Sequence, residues 1–182
     1  MLMTATVGVA TALAANPSTV PLATFEAVLA RHDSATRALE EWCGRRRIAT
    51  PAIIRAQSLG TSTGRASAQV RKRLGVDARD AVAIRHVRLS CGDKALSIAW
   101  NWYVPARLTP EMRDALRTTD TPFGKVVAAL AFRRVPLPTV PGRADTCPAG
   151  TISTHRARLL LPDGKPLAYV IECYTAANLA AN

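Results

Sequence analysis

The segment Thr154–Leu179, THRARLLLPDGKPLAYVIECYTAANL, decides the fold. Pro162-Asp163-Gly164 is turn chemistry, because glycine reaches positive φ without a steric penalty. Strand-like runs flank it, Arg158 to Leu161 and Pro166 to Tyr174, and two such runs around a short Asp-Gly loop predict a β-hairpin. Along the second run Leu167, Tyr169, Ile171 and Cys173 share one face, and Ala168, Val170, Glu172 and Tyr174 share the other. Both faces are apolar, which predicts a strand covered on both sides. Glu172 is the exception, the only charged residue after Lys165. A carboxylate in such a strand is costly unless it has a partner or a task. One reading pairs it with one of the many arginines; the other gives it chemistry.

A second hairpin is predicted over Ala81 to Val104, with Cys91-Gly92-Asp93-Lys94 as its turn and Pro105 as its stop. HVRLSCGDKALSIAWNWYVPARL overlays RARLLLPDGKPLAYVIECYTAANL with one gap, and the overlay sets Asn101 on Glu172. One weak repeat is not a solenoid, but it predicts two similar strand pairs in one antiparallel sheet. Arg85 and Arg88 lie three residues apart on the first strand of this pair, so they project from opposite faces. An interior arginine would clamp a carboxylate in a bidentate pair; the pattern does not say which of the two is interior.

The remaining elements follow in order. Thr24 is a candidate cap for a helix carrying Phe25, Val28 and Leu29. Asp33-Ser34 caps a helix over Ala35 to Cys43 with Leu39, Trp42 and Cys43 inward, closed by Gly44. Thr50 to Leu59 is strand-like, Gly60 to Gly64 is loop, and Ala66 to Leu74 reads equally as short basic helix or extended chain. Thr109-Pro110-Glu111 starts a helix running to about Arg117. Asp120-Thr121-Pro122 starts another, with Val126, Val127, Leu130 and Ala131 buried; its opening segment, Thr118 to Thr121, is a candidate anion site through free backbone N–H groups. Pro136 to Gly150 reads as Pro/Gly-rich loop.

The 182 residues, 48% hydrophobic, suit one domain with a real core. We assign 1–21 to a loose extension and 22–182 to the single domain. The net charge of +11 is nearly all arginine, clustered at Arg45-Arg46-Arg47, Arg71-Lys72-Arg73 and Arg133-Arg134. That charge suits nucleic acid, an acidic small molecule or a solvated surface. No zinc-finger, RNP-like or helix-turn-helix pattern accompanies it, so nucleic acid is set aside. Cys43, Cys91, Cys147 and Cys173 show no metal spacing, and His32, His86 and His155 are scattered, which predicts free thiols in a cytoplasmic protein. The apolar start lacks a positively charged n-region, although LAANP is faintly cleavage-like, so no secretory signal is expected. No run has the length of a transmembrane helix, so no membrane is expected. Nucleophile elbow, P-loop and dinucleotide fingerprint are all missing.

Five short motifs in order resemble the chorismate lyase family, the chorismate–pyruvate lyases that make 4-hydroxybenzoate. Asp33-Ser34-Ala35-Thr36 is similar to that family's DSMT, and Ile84-Arg85-His86-Val87-Arg88-Leu89 to LREVxL. Gly92-Asp93-Lys94 through Val104-Pro105-Ala106-Arg107-Leu108 follows the family's hairpin and its VPxSTL end. Thr121-Pro122-Phe123-Gly124-Lys125 is similar to TPLGR, and Gly164-Lys165-Pro166-Leu167 through Glu172 to GKPLLLTE. The resemblance implies an α+β fold: a single antiparallel β-sheet with helices packed on it and helical flaps over a buried ligand site. It implies no metal and no cofactor. It implies that Arg85 binds a ring carboxylate, that Glu172 faces the ring hydroxyl and assists proton movement, and that backbone groups at Ala35 and Thr118 complete the carboxylate site. The expected activity is elimination of pyruvate from chorismate, by a monomer acting on a small anionic aromatic or pre-aromatic substrate. The family tends to carry Met and Leu where Ala35 and Thr118 stand, and His86, Trp100 and Trp102 also depart from it. A pathway enzyme for another aromatic or polyketide-like substrate and a non-catalytic binding domain are therefore the alternatives.

Overall fold

The computed structural model describes residues 19–60, 65–144 and 146–180. Among the described residues, five α-helices and six strands follow in this order: α1 (Leu22–Leu29), α2 (Ala35–Arg45), β1 (Ile54–Ser58), α3 (Ala68–Leu74), β2 (Ala83–Cys91), β3 (Lys94–Tyr103), α4 (Pro110–Thr118), α5 (Phe123–Val126), β4 (Arg133–Pro141), β5 (Thr151–Leu160) and β6 (Pro166–Thr175). All pairings are antiparallel, in the order β1-β2-β3-β6-β5-β4. The two hairpins read from sequence, β2–β3 and β5–β6, meet along β3 and β6 at the middle of the sheet. Gly164 takes φ 84° in the tight turn between β5 and β6, the conformation that the Asp-Gly pair predicts.

One face of the sheet carries four helices. Phe25 and Val28 of α1 and Leu39 and Trp42 of α2 pack on Ile54, Val87, Leu89, Ala99 and Tyr174. Leu116 of α4 and Phe123 of α5 pack on Ala157, Leu159, Ala168 and Val170. The other face meets α3, whose Val70 and Leu74 cover Tyr169, Ile171 and Cys173. β6 is thus covered on both sides, as its two apolar faces require.

Four local expectations need correction. α1 begins at Leu22 after Pro21, without a side-chain cap, so Thr24 lies inside it. Gly44 lies within α2; the chain leaves the helix through Arg46 and Arg47, the latter at φ 52°. The helix after Pro122 is a single turn followed by a 3-10 turn over Ala128–Leu130, and Ala131 is exposed. Of the Pro-rich segment read as loop, 142–144 and 146–150 hold no helix or strand, but Pro136 to Pro141 form the end of strand β4. It tolerates Pro136, Pro138 and Pro141 because it pairs only with β5, and proline is at home where one strand edge is free.

The cysteines are also corrected. Cys43 of α2 is bonded to Cys91 at the end of β2, and Cys147 to Cys173 of β6. The partners stand 48 and 26 residues apart, and sequence alone cannot assign connectivity across such gaps. Of the segment assigned to a loose extension, 1–18 lie outside the described residues; the Val20 N–H donates to the Leu179 carbonyl at 3.1 Å. Among the described residues no helix is long and apolar enough to cross a membrane.

Candidate functional site

Residues paired across antiparallel strands share a face. Arg85 faces Asn101, which faces Val170; Val87 faces Ala99, which faces Glu172, which faces His155. Arg85, Asn101, Glu172, His155 and Tyr174 therefore all stand on the four-helix face, as does Arg134, opposite Leu159 on β4. Arg85 and Glu172 are separated by two strand spacings and two residues, about 12 Å between Cα atoms. Both are buried, at 8% and 5% exposure, whereas Arg88 is exposed on the other face.

Glu172 has a partner that sequence reading missed. Arg134 Nη1 and Nη2 donate to its two carboxylate oxygens at 3.1 and 2.5 Å, a bidentate fork. Tyr174 donates its phenol to Oε2 of the same carboxylate at 3.1 Å. The Arg134 backbone N–H donates to Asp33 Oδ1 at 2.7 Å, fastening β4 to the chain that enters α2. Burial works against the charge of Arg134, but the Glu172 carboxylate beside it prevails and holds the guanidinium protonated. Burial, reinforced by Glu172, pushes the Tyr174 phenol well above its ordinary range, so it stays a donor. Burial also pulls the His155 imidazole below 6.5, against the opposing field of Glu172. His155 Nε2 lies 3.1 Å from Ser153 Oγ, which donates to Glu26 Oε1 of α1 at 2.8 Å.

A small cavity of about 30 Å³ opens beside this pair, lined by Ala35, Asn101, Phe123, Phe132, Arg134 and Glu172 among others. A space that size takes a water or two. Asn101 is 7% exposed, and its amide makes no hydrogen bond to another described residue. A larger hollow of about 330 Å³ lies outside, lined by Arg31, His32, Arg37 and Ala128 and sharing Asp33, Ser34, Gly124 and Phe132 with the inner cavity. Those four residues form the wall between the two. Ser34 caps α2 through the Arg37 N–H, and Gly124 opens α5 directly against it; a Cβ on Gly124 would overlap Ser34 Oγ. Glycine is what lets the α5 flap close on the α2 N-terminus.

The four expected site residues divide. Glu172 and Ala35 line the same cavity. Arg85 lines a neighbouring pocket of about 520 Å³ under α4, with Tyr103, Leu116 and Arg117. Its guanidinium donates to the Thr121 carbonyl at 2.7 Å and the Thr119 carbonyl at 2.9 Å. Burial lowers its affinity for its proton, partly offset by Tyr103 and Asp120. Thr118 is exposed at the end of α4, its hydroxyl donating to the Asp114 carbonyl at 2.9 Å. The segment from Thr118 to Thr121, read as an anion site, thus turns carbonyls toward a cation; the Thr119 and Thr121 N–H groups are spent on the Ala115 carbonyl and Thr119 Oγ1. Arg134 was visible in sequence only as half of the Arg133-Arg134 cluster, within a segment that its prolines disguise. Among the described residues no group of three or more His, Cys, Asp or Glu side chains is placed to hold a metal.

Comparison with solved structures gives the fold. The effector domain of PhnF from Mycobacterium smegmatis superposes with a TM-score of 0.58 at 15% identity, covering 82% of this chain and 93% of that one. The ligand-binding domain of a regulator assigned to the GntR family, from Bordetella bronchiseptica, superposes at 0.51 and 16%, covering 66% and 82%. At such identities the fold alone is shared: the α+β architecture expected from the chorismate lyase resemblance, here in effector domains of regulators. No family model matches the chain. The uncharacterized protein y4mC of Sinorhizobium fredii (strain NBRC 101917 / NGR234) is 39% identical over 173 residues, spanning 85% of this chain and 73% of the relative. At that identity and coverage, the chain belongs to the family of y4mC.

Proposed function

We propose that this protein binds a small organic anion in the chamber between the sheet and the α2–α5 wall, as a non-catalytic binding domain. The observation that carries this reading is the polar floor beneath a closed roof: the Arg134–Glu172 fork beside Asn101, whose amide has no partner among the described residues. Buried polar groups are nearly always satisfied, and an unspent amide beside a fixed ion pair suits a ligand with its own donors and acceptors. The inner cavity is too small for an aromatic acid, so binding requires the α5 flap to part from Ser34. Structural neighbours named as effector and ligand-binding domains of regulators support the same reading. We expect the protein to act as a monomer.

The test is calorimetric titration with a panel of aromatic and aliphatic acids that includes 4-hydroxybenzoate. Binding by the wild type that is weakened at least about tenfold in Asn101→Leu is the expected result. No heat with any acid, or binding indifferent to Asn101→Leu and Glu172→Gln, rejects the chamber as a ligand site.

Chorismate–pyruvate lysis is the second reading, favoured by Arg85 and Glu172 standing on one face of the sheet, both interior. Aromatisation of the product supplies driving force, so the residues would need only to orient the dianion and stabilise charge. Glu172 is already held by Arg134 and Tyr174, which leaves it poorly placed as a proton acceptor while that fork is intact. Incubation with chorismate followed by chromatography decides. Formation of 4-hydroxybenzoate and pyruvate above background, lost in Glu172→Gln and Arg85→Ala, establishes the lyase; background levels reject it.

A further inference from the structure

The sheet face opposite the chamber carries cations that the fold does not use. A groove of about 670 Å³ runs between α3 and β5, lined by Ala68, Gln69, Lys72 and Arg73 of α3 and by Arg158 of β5. Arg156 stands two residues earlier on β5, hence on the same face. The Tyr169 phenol, next along on β6, lies in the field of both Arg156 and Arg73. Among the described residues, none of these four cationic side chains makes a hydrogen bond or ion pair, and Arg158 Nε is shut away from solvent with no acceptor. Arg73, Arg156 and Arg158 are each half-buried.

Arginines that serve the fold behave differently here. Arg71, on the same helix, donates to the carbonyls of Asp77 and Asp80. Arg107 reaches the carbonyls of Leu74 and Pro166. The negative end of α3 favours cations in its last turn, but that field occupies none of their N–H donors. Buried donors are almost always satisfied, and an exception points to a missing partner.

We propose that the groove between α3 and β5 is a binding site for a phosphomonoester group. Three positive charges from two elements line one concavity, Arg156 adds a fourth on the same face, and no carboxylate is among the lining residues. A carboxylate would neutralise one of them. A phosphomonoester brings a charge near −2 and three strong acceptor oxygens, enough for two guanidinium forks and an ammonium at once. The site lies across the sheet from Glu172 and is independent of what the chamber holds.

Titration calorimetry with glycerol 3-phosphate, and co-sedimentation with phosphatidylcholine vesicles doped with phosphatidic acid, test it. The wild type is expected to bind at least one probe, which identifies a soluble ester or a lipid headgroup as the source. Arg158→Ala and Arg73→Ala should each weaken binding at least about tenfold, and Arg158→Lys should restore part of it. Arg88→Ala removes the same charge from the same face three strands away and should change affinity by less than about threefold, since its charge is solvent-screened. Should Arg158→Ala fail to fold, Arg73→Ala, on helix α3 rather than within the sheet, carries the test. Binding of neither probe, or equal binding by wild type, Arg158→Ala and Arg73→Ala, overturns the proposal.

Discussion

Replacing Arg134 with methionine isolates the energetics of the buried fork. The Arg134 and Glu172 side chains are 13% and 6% exposed, and the carboxylate would keep only the Tyr174 phenol after the substitution. Stranding one member of a buried pair costs about 3–5 kcal/mol, far above the 0–1 kcal/mol of a surface pair. For a chain of this length each kcal/mol moves the midpoint by about 2–4 °C, so Arg134→Met should melt about 6–20 °C lower. Replacing both partners, as Arg134→Met with Glu172→Leu, removes the stranded charge and should recover all but about 1 kcal/mol. Urea unfolding of the four proteins gives the coupling directly: with Glu172→Leu alone also costing about 3–5 kcal/mol, it should come to about 5–9 kcal/mol. A single-variant cost below about 1 kcal/mol, additive with the second substitution, would refute the assignment of the fork as a closed, desolvated pair.

Three further outcomes are expected. Gly124→Ala would press its methyl into Ser34 Oγ and within 3.2 Å of Thr36 Oγ1, so it should cost about 1–3 kcal/mol and loosen the flap; adding Ser34→Gly, a change of only a few tenths at a cap, should restore most of it, and a double variant no better than Gly124→Ala would count against the contact. His86 and His155 are both pulled below 6.5 by burial, so the unfolded chain takes up protons first and stability should fall as pH drops below 6.5, with a shallower slope in His86→Phe; a wild-type curve flat from pH 6.5 to about 5 would contradict this. Intact mass should be lower by four hydrogens than the reduced chain, and reduction should remove about 4 kcal/mol for the Cys43–Cys91 loop of 48 residues and about 3.5 for the Cys147–Cys173 loop of 26; alkylation of all four cysteines in denaturant without reductant would rule the bridges out.

The strands that turn tightly were legible, because local chemistry writes them: Asp-Gly and Cys-Gly-Asp-Lys turns between alternating runs predict β2, β3 and β6 within a residue or two, whereas β5 begins at Thr151, seven residues before the run read from Arg158. Thr109-Pro110-Glu111 placed α4, with the Thr109 hydroxyl accepting from the Met112 N–H as a cap should. The face of Arg85 followed only from the resemblance, since alternation gives opposite sides to Arg85 and Arg88 without saying which is inside. β4 was hidden because its prolines argue against a strand unless one already knows that it lies at an edge. Arg134 was hidden with it, although pairing Glu172 with one of the arginines had been one of the two readings of that carboxylate. Disulfide pairing was illegible for a different reason: it depends on which distant elements pack together, here α2 on β2 and the loop after β4 on β6.

The prolines of β4 bear on how copies of this protein meet. Pro136, Pro138 and Pro141 delete N–H groups from a strand that pairs on its outer side with no other strand among the described residues. At the opposite margin the Ala56 N–H is already taken by the Asp120 carbonyl at 2.7 Å, so β1 offers an incomplete ladder as well. Neither border can be zipped onto a passing ribbon, which guards the sheet against continuation from molecule to molecule. Among the described residues, contact between copies is thereby left to side chains rather than to backbone pairing at the sheet margins.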